Sequence, residues 1–401
     1  MRILKQSLLG FAVILFAAAP SSNPQQIAEN NNAFAFELYQ EIIQKEKGNV
    51  FFSPFSISTA LAMTYAGANG ETANEMAKTM HFGANTEDFH LSYGKYLSTL
   101  EKNAKGNIQL NIANRLWGEK NYTLLPDFVA LNKQAYNSPL QQVDFAGNPD
   151  GSSQEINTWV AAKTEERIKD LIPPGAITTD TRLVLTNAIY FKGDWLYQFK
   201  KKDTHDRKFE LADGSSKKTP FMNFEGALDY SENGTYKMLR LPYKGEKQSM
   251  VIVLPNSPED LQKIEQTMNS NSFSQLFYDS QPTVILALPK FKMTLPLALN
   301  SFLQNLGIKS AFSTSADFSK MTPSNDLVIS DVIHKAFIEI NEEGTEAAAA
   351  TAVVMTIESI GPHDPPRPKE FIADHPFLFY IIDNETKAIL FMGRLMEPSA
   401  N

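Results

Sequence analysis

The chain contains no cysteine, and this absence excludes several classes of site. Disulfide frameworks and thiolate metal centres both require cysteine sulfur. The histidines do not compensate, because none of them falls in an HExxH or comparable ligand spacing. They are His81, His90, His205, His334, His363 and His375. We therefore predict that the protein has neither a metal site nor a cofactor.

Basic residues are outnumbered by acidic ones. Lys and Arg total 37 against 45 Asp and Glu, which gives a net charge of -8 and a pI near 5.4. Nucleic-acid binding depends on a basic surface that neutralises phosphates. The charge balance therefore argues against a nucleic-acid partner.

Catalytic motifs are also missing. The sequence has no G-x-S-x-G elbow, no P-loop and no G-x-G-x-x-G fingerprint. Ser, His and Asp are all present, but without spacing or context they do not indicate a hydrolase. We predict that the protein is not an enzyme.

Long apolar runs are absent apart from one near the N-terminus. Arg2 and Lys5 precede the apolar run from Leu8 to Ala19, and small residues follow it. This order is typical of a secretory signal, and the run is short for a membrane span. We predict a signal peptide at residues 1–21, a secreted protein (extracellular or periplasmic) and no membrane partner. The alternative is an uncleaved membrane anchor.

No stretch is distinct enough in composition to be a linker between domains. The 401 residues are 43% hydrophobic, which is enough to form a large core. We predict one domain over residues 27–401 and an α+β fold. Helical patterns occupy residues 25–47, 59–66 and 154–172. Strand patterns occupy residues 182–191, 249–255, 283–291 and 326–340.

One segment, from Ile340 to Ser359, combines signals that normally exclude each other. It contains almost none of the Gly, Pro, Asn, Asp and Ser that mark loops, and four of its alanines are consecutive. Alternate residues from Thr345 are small or apolar, so one face of a strand would suit burial. Yet Gly361-Pro362 and three further prolines follow, and these cannot continue a central strand. An alanine-rich surface helix or linker is the alternative interpretation.

Two motifs give this segment a family context. The run Glu342-Glu343-Gly344-Thr345-Glu346-Ala347-Ala348-Ala349-Ala350-Thr351 resembles the proximal hinge of the reactive loop in inhibitory serpins. The run Phe371-Ile372-Ala373-Asp374-His375-Pro376-Phe377-Leu378-Phe379-Tyr380-Ile381 resembles that family's C-terminal signature. The similarity extends roughly from Phe34 to Pro398. It implies a serpin fold with three β-sheets, about eight to nine helices and an exposed reactive-centre loop at about residues 342–368.

The resemblance also implies two internal sites. Residues similar to the family's shutter cluster, where the main sheet parts, are Ser53, Ser56, Asn187 and His334. Trp195 matches the residue that packs at the breach, where insertion begins. The implied hinge is formed by Glu342, Glu343, Gly344, Thr345, Glu346, Ala347, Ala348, Ala349 and Ala350.

The implied activity is inhibition of a peptidase by a suicide-substrate reaction. A serine endopeptidase, or alternatively a cysteine endopeptidase, would form a covalent complex with a monomeric inhibitor. Counting from Glu342 as the family does places the reactive bond at Glu358-Ser359. Met355-Thr356 is the alternative, and it would suit an elastase- or chymotrypsin-like enzyme. A non-inhibitory carrier, chaperone or binding protein on the same fold is the alternative function.

Overall fold

The computed structural model describes residues 23–104, 108–138, 140–275, 280–324, 326–345 and 367–399. These residues form nine α-helices and sixteen strands in three sheets. The helices are α1 (Pro24–Lys45), α2 (Pro54–Tyr65), α3 (Gly70–Met80), α4 (Glu87–Ala104), α5 (Pro126–Tyr136), α6 (Pro149–Lys163), α7 (Asp260–Thr267), α8 (Ser270–Ser274) and α9 (Asn300–Leu306). The predicted three sheets and eight to nine helices are therefore confirmed for the described part of the chain.

The strands follow the chain in order. They are β1 (Val50–Phe52), β2 (Ile108–Glu119), β3 (Gln141–Val143), β4 (Leu183–Asp194), β5 (His205–Glu210), β6 (Ser216–Ala227), β7 (Asp229–Glu232), β8 (Tyr236–Pro242), β9 (Gln248–Pro255), β10 (Thr283–Pro289), β11 (Phe291–Ala298), β12 (Asp331–Ile340), β13 (Gly344–Thr345), β14 (Lys369–Ile372), β15 (Phe377–Asp383) and β16 (Ile389–Leu395).

The main sheet has the strand order β11-β12-β13-β4-β2-β3. β12 and β4 pair in parallel from Asp331 opposite Val184 to Phe337 opposite Tyr190. The two-residue strand β13 lies between them beyond this paired stretch. The main sheet is thus closed along most of its length and holds an additional strand only at one end.

Both faces of β4 are covered, which explains its nearly continuous apolar sequence. On one face lies α2, all of whose residues are buried. Helix α2 begins at Pro54 because the Ser53 hydroxyl accepts the Ser56 N–H at 3.1 Å and so caps the first turn. On the other face, Ile156 and Val160 of α6 pack against strands β2, β4 and β12.

The sequence pattern predicted a helix that extends beyond the C-terminal end of α6. A helix was predicted over residues 154–172, but α6 ends at Lys163. Glu165 and Glu166 then adopt positive φ values of 50° and 61°, which interrupts the helical backbone. The apolar residues Ile168, Leu171 and Ile172 still pack on the main sheet, so burial without helical structure produced the misleading periodicity.

The remaining strands form two further sheets. The second sheet has the order β1-β16-β15-β9-β8-β7, and the third has the order β14-β10-β6-β5. The motif from Phe371 to Ile381 joins these two sheets, because it runs from β14 into β15. Within the described ranges, none of the helices is both long and apolar enough to cross a membrane.

Candidate functional site

The first residues of the predicted hinge are already paired inside the main sheet. Thr345 lies opposite Ile340 of β12 and opposite Gly193 of β4, and Gly344 lies opposite Asp194. Both pairings are antiparallel. The sequence predicted a hinge at this position, but it did not predict that Gly344 and Thr345 enter the sheet in the intact chain.

Gly344 is required here by close backbone contact. A Cβ atom at this position would lie 2.1 Å from the carbonyl oxygen of Gly193, and the φ angle is +155°. Any side chain would therefore push the hinge away from β4. The next residue, Thr345, is fully buried, and its hydroxyl lies 3.0 Å from the Tyr243 hydroxyl.

Trp195, which the family resemblance assigns to the breach, lies directly against this hinge. Its indole stacks on Tyr243 with ring centroids 4.7 Å apart. The indole N–H donates to the backbone carbonyl oxygen of Asn341 at 3.0 Å. The backbone N–H of Trp195 donates to the backbone carbonyl oxygen of Glu343 at 3.0 Å. Trp195 and Tyr243 together hold the turn between β12 and β13. Sequence reasoning missed Tyr243, because no local pattern distinguishes it from other core aromatic residues.

The first two of the three hinge glutamates, Glu342 and Glu343, are held by lysines. The Glu342 carboxylate accepts from Lys290 at 2.9 and 3.1 Å and from the Thr204 hydroxyl at 2.9 Å. Burial alone would raise the pKa of Glu342, but these hydrogen bonds outweigh it and lower the pKa. The Glu343 carboxylate lies 2.6 Å from the Lys201 ammonium group. Both glutamates are therefore charged anchors at the point where the chain leaves β12.

The predicted shutter residues form one connected, buried cluster. Ser53, Ser56, Asn187 and His334 are all at most 1% exposed. Asn187 and His334 lie opposite each other on β4 and β12, and their side chains are hydrogen-bonded. The Asn187 amide also donates to the Ser56 hydroxyl at 2.7 Å. The cluster therefore ties the two central strands of the main sheet to helix α2.

The hydrogen bonds fix the protonation of His334. The Ser53 backbone N–H donates to Nε2 at 3.1 Å, so Nε2 is an acceptor. Nδ1 must then carry the proton, and this N–H donates to the side-chain oxygen Oδ1 of Asn187. Burial lowers the pKa of His334 to about 3, so the ring is neutral at physiological pH.

Asn114 is a fifth member that sequence reasoning missed. It lies on β2 directly opposite Asn187. Its side-chain oxygen Oδ1 accepts from the Ser56 hydroxyl at 3.0 Å and from the Asn187 side-chain amide at 2.6 Å. Its own amide donates to the Ser56 carbonyl oxygen at 3.0 Å. One signal was available, because Asn114 shares the parity of Ile108, Leu110, Ile112 and Leu116. A polar side chain on the apolar face of a strand needs buried partners.

The rest of the predicted site falls outside the described residues. These positions are Glu346, Ala347, Ala348, Ala349, Ala350, Met355, Thr356, Glu358 and Ser359. The segment that contains them is attached to Thr345 in the main sheet and leads to Lys369 in the third sheet. Within the described ranges, no group of three or more His, Asp or Glu side chains is arranged to hold a metal ion.

Comparisons with known proteins give one consistent family. The family model described as Serpin (serine protease inhibitor) matches residues 29–398. Leukocyte elastase inhibitor of Xenopus tropicalis is 42% identical over 374 residues, which cover 91% of this chain and 97% of that protein. Serpin B4 of Homo sapiens is 38% identical over 392 residues, covering 93% and 99%. The crystal structure of Serpin48 from Tenebrio molitor superposes with a TM-score of 0.83 at 32% identity, covering 94% of this chain and 99% of that one.

Proposed function

The chain belongs to the serpin family, and from this premise we propose that it traps its target as a suicide substrate, by inserting its cleaved reactive loop into the main sheet. It is a serpin-type protease inhibitor rather than an enzyme. The trapping reaction, the bond that is cut, the target and the cellular location belong to the proposal.

The observation that carries the proposal is the register of β13. Thr345 pairs with Gly193 of β4 and with Ile340 of β12. If the strand continued in this register, each further residue would move one position back along both neighbours. Six residues beyond Thr345 is Thr351, six before Gly193 is Asn187, and six before Ile340 is His334. Thr351 would thus enter the shutter cluster between the two residues that now bond to each other.

The direction of the side chains agrees with this register. The Thr345 side chain points to the core, where it meets Tyr243. Residues at even spacing from it, including Thr351, would point to the same face in a strand. Inserting a strand separates Asn187 from His334 by an additional strand spacing of about 4.8 Å. The Thr351 hydroxyl, which both donates and accepts, would replace the hydrogen bond that is broken.

The energetics favour insertion once the loop is free. Eleven residues, 345–355, would lie opposite Gly193 to Leu183 of β4. They would replace one parallel ladder by two antiparallel ladders, a net gain of roughly ten hydrogen bonds. At about 0.5–1.5 kcal/mol each, the gain is on the order of 5–15 kcal/mol. This equals the stability of an ordinary domain, so the intact form is a kinetically trapped state. Serpin loop insertion is itself a standard case of strand addition.

The chemistry follows from the position of the cut. The peptidase nucleophile bonds to the carbonyl carbon of Glu358, the bond to Ser359 breaks, and the Ser359 nitrogen leaves as an amine. Insertion then carries the acylated peptidase along the sheet. Residue 355 of the inserted strand would lie opposite Leu183, the first residue of β4. Three residues, 356–358, would then connect the strand to the peptidase. A cut at Met355-Thr356 would leave none, and this favours Glu358-Ser359.

The target class follows from Glu358, which suits a glutamate-selective serine endopeptidase. The name of the similar leukocyte elastase inhibitor describes inhibition of an elastase by that protein. For this chain, Val353-Val354-Met355 provides the alternative for an elastase-like enzyme. We propose a serine endopeptidase as the partner, with Glu358-Ser359 as the principal reactive bond.

Secretion belongs to the same proposal. Residues 1–21 lie outside the described residues, and the family match begins only at residue 29. The support is the basic start and short apolar run of the sequence. We propose that the signal is removed and that residues 27–401 form the mature inhibitor domain.

A peptidase panel tests the function. The protein is incubated with glutamate-selective, elastase-like, chymotrypsin-like and trypsin-like serine endopeptidases and with cysteine endopeptidases. We expect a complex that survives boiling in detergent, together with a released peptide that begins at Ser359 by mass spectrometry. Glu358→Arg should redirect complex formation to trypsin-like enzymes. Cleavage of the loop by every enzyme without any stable complex would contradict trapping and favour a binding protein.

A further inference from the structure

The turn between β7 and β8 places an asparagine directly before a glycine at the surface. The pair is Asn233-Gly234, and both residues are exposed. The turn is formed by residues 233–235, between Glu232 at the end of β7 and Tyr236 at the start of β8. The backbone nitrogen that follows an asparagine can attack the side-chain amide, and glycine places no Cβ beside that nitrogen. The pair therefore has the atoms needed for deamidation.

Two hydrogen bonds polarise the side-chain amide of Asn233. Its Oδ1 accepts from the backbone N–H of Thr235 at 2.8 Å and from the backbone N–H of Tyr236 at 3.0 Å. Attack at Cγ would convert Oδ1 into an oxyanion. Donors held about 2.7–3.1 Å from such an oxygen stabilise it and lower the barrier to attack. The two N–H groups are therefore placed like the donors of an oxyanion hole.

The two nitrogens that would react are not engaged elsewhere. Among the described residues, neither Nδ2 of Asn233 nor the backbone N–H of Gly234 has a hydrogen-bond partner. The turn around them is nevertheless held in place. The Asn233 N–H donates to the Tyr236 carbonyl oxygen at 2.9 Å, and the Asn256 side chain donates to the Asn233 carbonyl oxygen at 2.9 Å. The attacking and leaving groups are thus free within an ordered turn.

A second Asn-Gly pair in the chain lacks this arrangement. Asn69-Gly70 is also exposed, and Asn69 is the N-cap residue of α3. Its Nδ2 donates to the Ser319 hydroxyl at 3.2 Å, and no donor from the described part of the chain reaches its Oδ1. The leaving nitrogen is therefore held, and the amide is not activated. The pair provides a comparison with the same two residue types in the same molecule.

We propose that Asn233 is a deamidation site of the native protein, activated by the two N–H donors of its own turn. The Gly234 nitrogen forms a bond to Cγ of Asn233 and gives up its proton to water. The bond from Cγ to Nδ2 then breaks, and Nδ2 leaves as ammonia. Water opens the resulting five-membered ring at one of its two carbonyl carbons, which produces an aspartyl or an isoaspartyl residue. The net reaction consumes one water molecule and releases one ammonia molecule.

The products change the edge of the second sheet, where β7 is the outermost strand. Each product carries one more negative charge than the parent molecule. The aspartyl form can keep both bonds in the turn, and a charged acceptor strengthens them. The isoaspartyl form adds one carbon atom to the main chain between the paired residues Glu232 and Lys237. The reaction is independent of the reactive loop, and it converts the protein to more acidic forms with time.

The test compares the two Asn-Gly pairs in the native and the unfolded full-length chain. The protein is produced in a bacterial host, because Asn233-Gly234-Thr235 is also a glycosylation sequon and a glycan on Nδ2 would block the reaction. Deamidation is followed at one pH, in buffer and in guanidinium chloride, by proteolytic digestion and mass spectrometry. We expect Asn233 to react about tenfold faster in the native protein than in the unfolded chain. Asn69 should react more slowly in the native protein.

Gly234→Ala identifies the attacking nitrogen. A Cβ at this position would meet no atom within 4 Å, so the turn accommodates alanine and keeps both donors. Crowding at the nitrogen should slow the native reaction several-fold. If Asn233 reacted no faster in the native protein than in the unfolded chain, the proposal would be overturned, since an ordered turn without activation only restricts ring closure. An unchanged native rate in Gly234→Ala would overturn it as well.

Discussion

At the scale of single residues, Thr345 is a hinge position inside the main sheet. Its side chain is fully buried and shares a hydrogen bond with Tyr243. We predict that Thr345→Arg converts the inhibitor into a substrate, because burying an unpaired guanidinium costs several kcal/mol. The measurement is the number of inhibitor molecules consumed per trapped peptidase, which should rise at least tenfold. Thr345→Ser, which keeps the hydroxyl, is the control. A stable complex formed normally by the arginine variant would show that trapping does not require a buried side chain at position 345.

His334 makes a second prediction at the residue scale, because its pKa is lowered from 6.5 to about 3 by burial. The folded protein holds the neutral ring, while the unfolded chain takes up a proton below pH 6.5. The stabilising contribution is therefore complete above pH 6.5 and decreases as the pH falls toward 3, by about 1.4 kcal/mol per pH unit. Denaturant unfolding at pH 7.5 and 5 should show a loss of about 2 kcal/mol that is absent in His334→Gln.

The comparison with His334→Gln removes the contribution of other buried groups. His90, for example, has its pKa lowered to about 4 by burial, but it titrates in both proteins. Glutamine can accept from the Ser53 N–H and donate to Asn187, so the cluster retains its bonds without a titrating ring. Parallel pH profiles of the two proteins would mean that His334 is not neutral in the folded protein.

At the scale of elements, the register of the inserted strand gives a prediction at one position. Thr351→Val removes the hydroxyl that would bond between Asn187 and His334 after insertion. Leaving these buried groups unsatisfied costs about 1–3 kcal/mol. We expect the loop-cleaved variant to melt a few degrees below the cleaved unmodified protein, while the intact forms melt together. Thr351→Ser should behave as the unmodified protein. If the register were shifted, the melting temperature would fall on substitution of a neighbouring residue, and Thr351→Val would leave it unchanged.

Elements with strong local patterns could be predicted from the sequence. The strand predicted at residues 182–191 is β4, Leu183–Asp194, because its apolar run is long enough to be buried on both faces. The pattern at residues 283–291 covers β10 and only the start of β11, because Lys290 separates two strands that belong to different sheets. The boundary between sheets depends on tertiary pairing, which the alternation of residues does not encode.

The candidate site also contains residues that the sequence could predict and residues that it could not. Ser53, Ser56, Asn187 and His334 could be named from family motifs, but the motifs do not contain the hydrogen bonds among them. Asn114 and Tyr243 were missed because each becomes part of the site only through pairing. Asn114 lies opposite Asn187, and Tyr243 reaches Thr345 across two sheets. Asn114 and Tyr243 belong to the site because of contacts with residues that are distant in sequence. Composition and periodicity carry no information on such contacts.

At the scale of the whole molecule, the proposed insertion requires a protein that is held above its lowest free energy. The main sheet pairs β12 with β4 from Asp331 to Phe337, and β13 lies between the two strands only at one end, beyond this paired stretch. We predict that cutting the loop at or near Glu358 raises the melting temperature by roughly 6–19 °C. The reason is that a gain of 5–15 kcal/mol is divided by an unfolding entropy of about 0.8 kcal/mol/K for a chain of this size.

Differential scanning calorimetry of intact and nicked protein measures this shift. Nicked Thr345→Arg is the matched control, since it carries the same cut but resists insertion at the first position. It should melt near the temperature of intact Thr345→Arg, because position 345 is already buried in the intact form and the substitution affects both forms. If the nicked unmodified protein likewise melted at the temperature of its own intact form, the cut strand would remain outside the sheet. The hinge would then be a fixed two-residue pairing rather than the start of insertion, because a ladder that stops at Thr345 in the cleaved chain gains no hydrogen bonds beyond those already present.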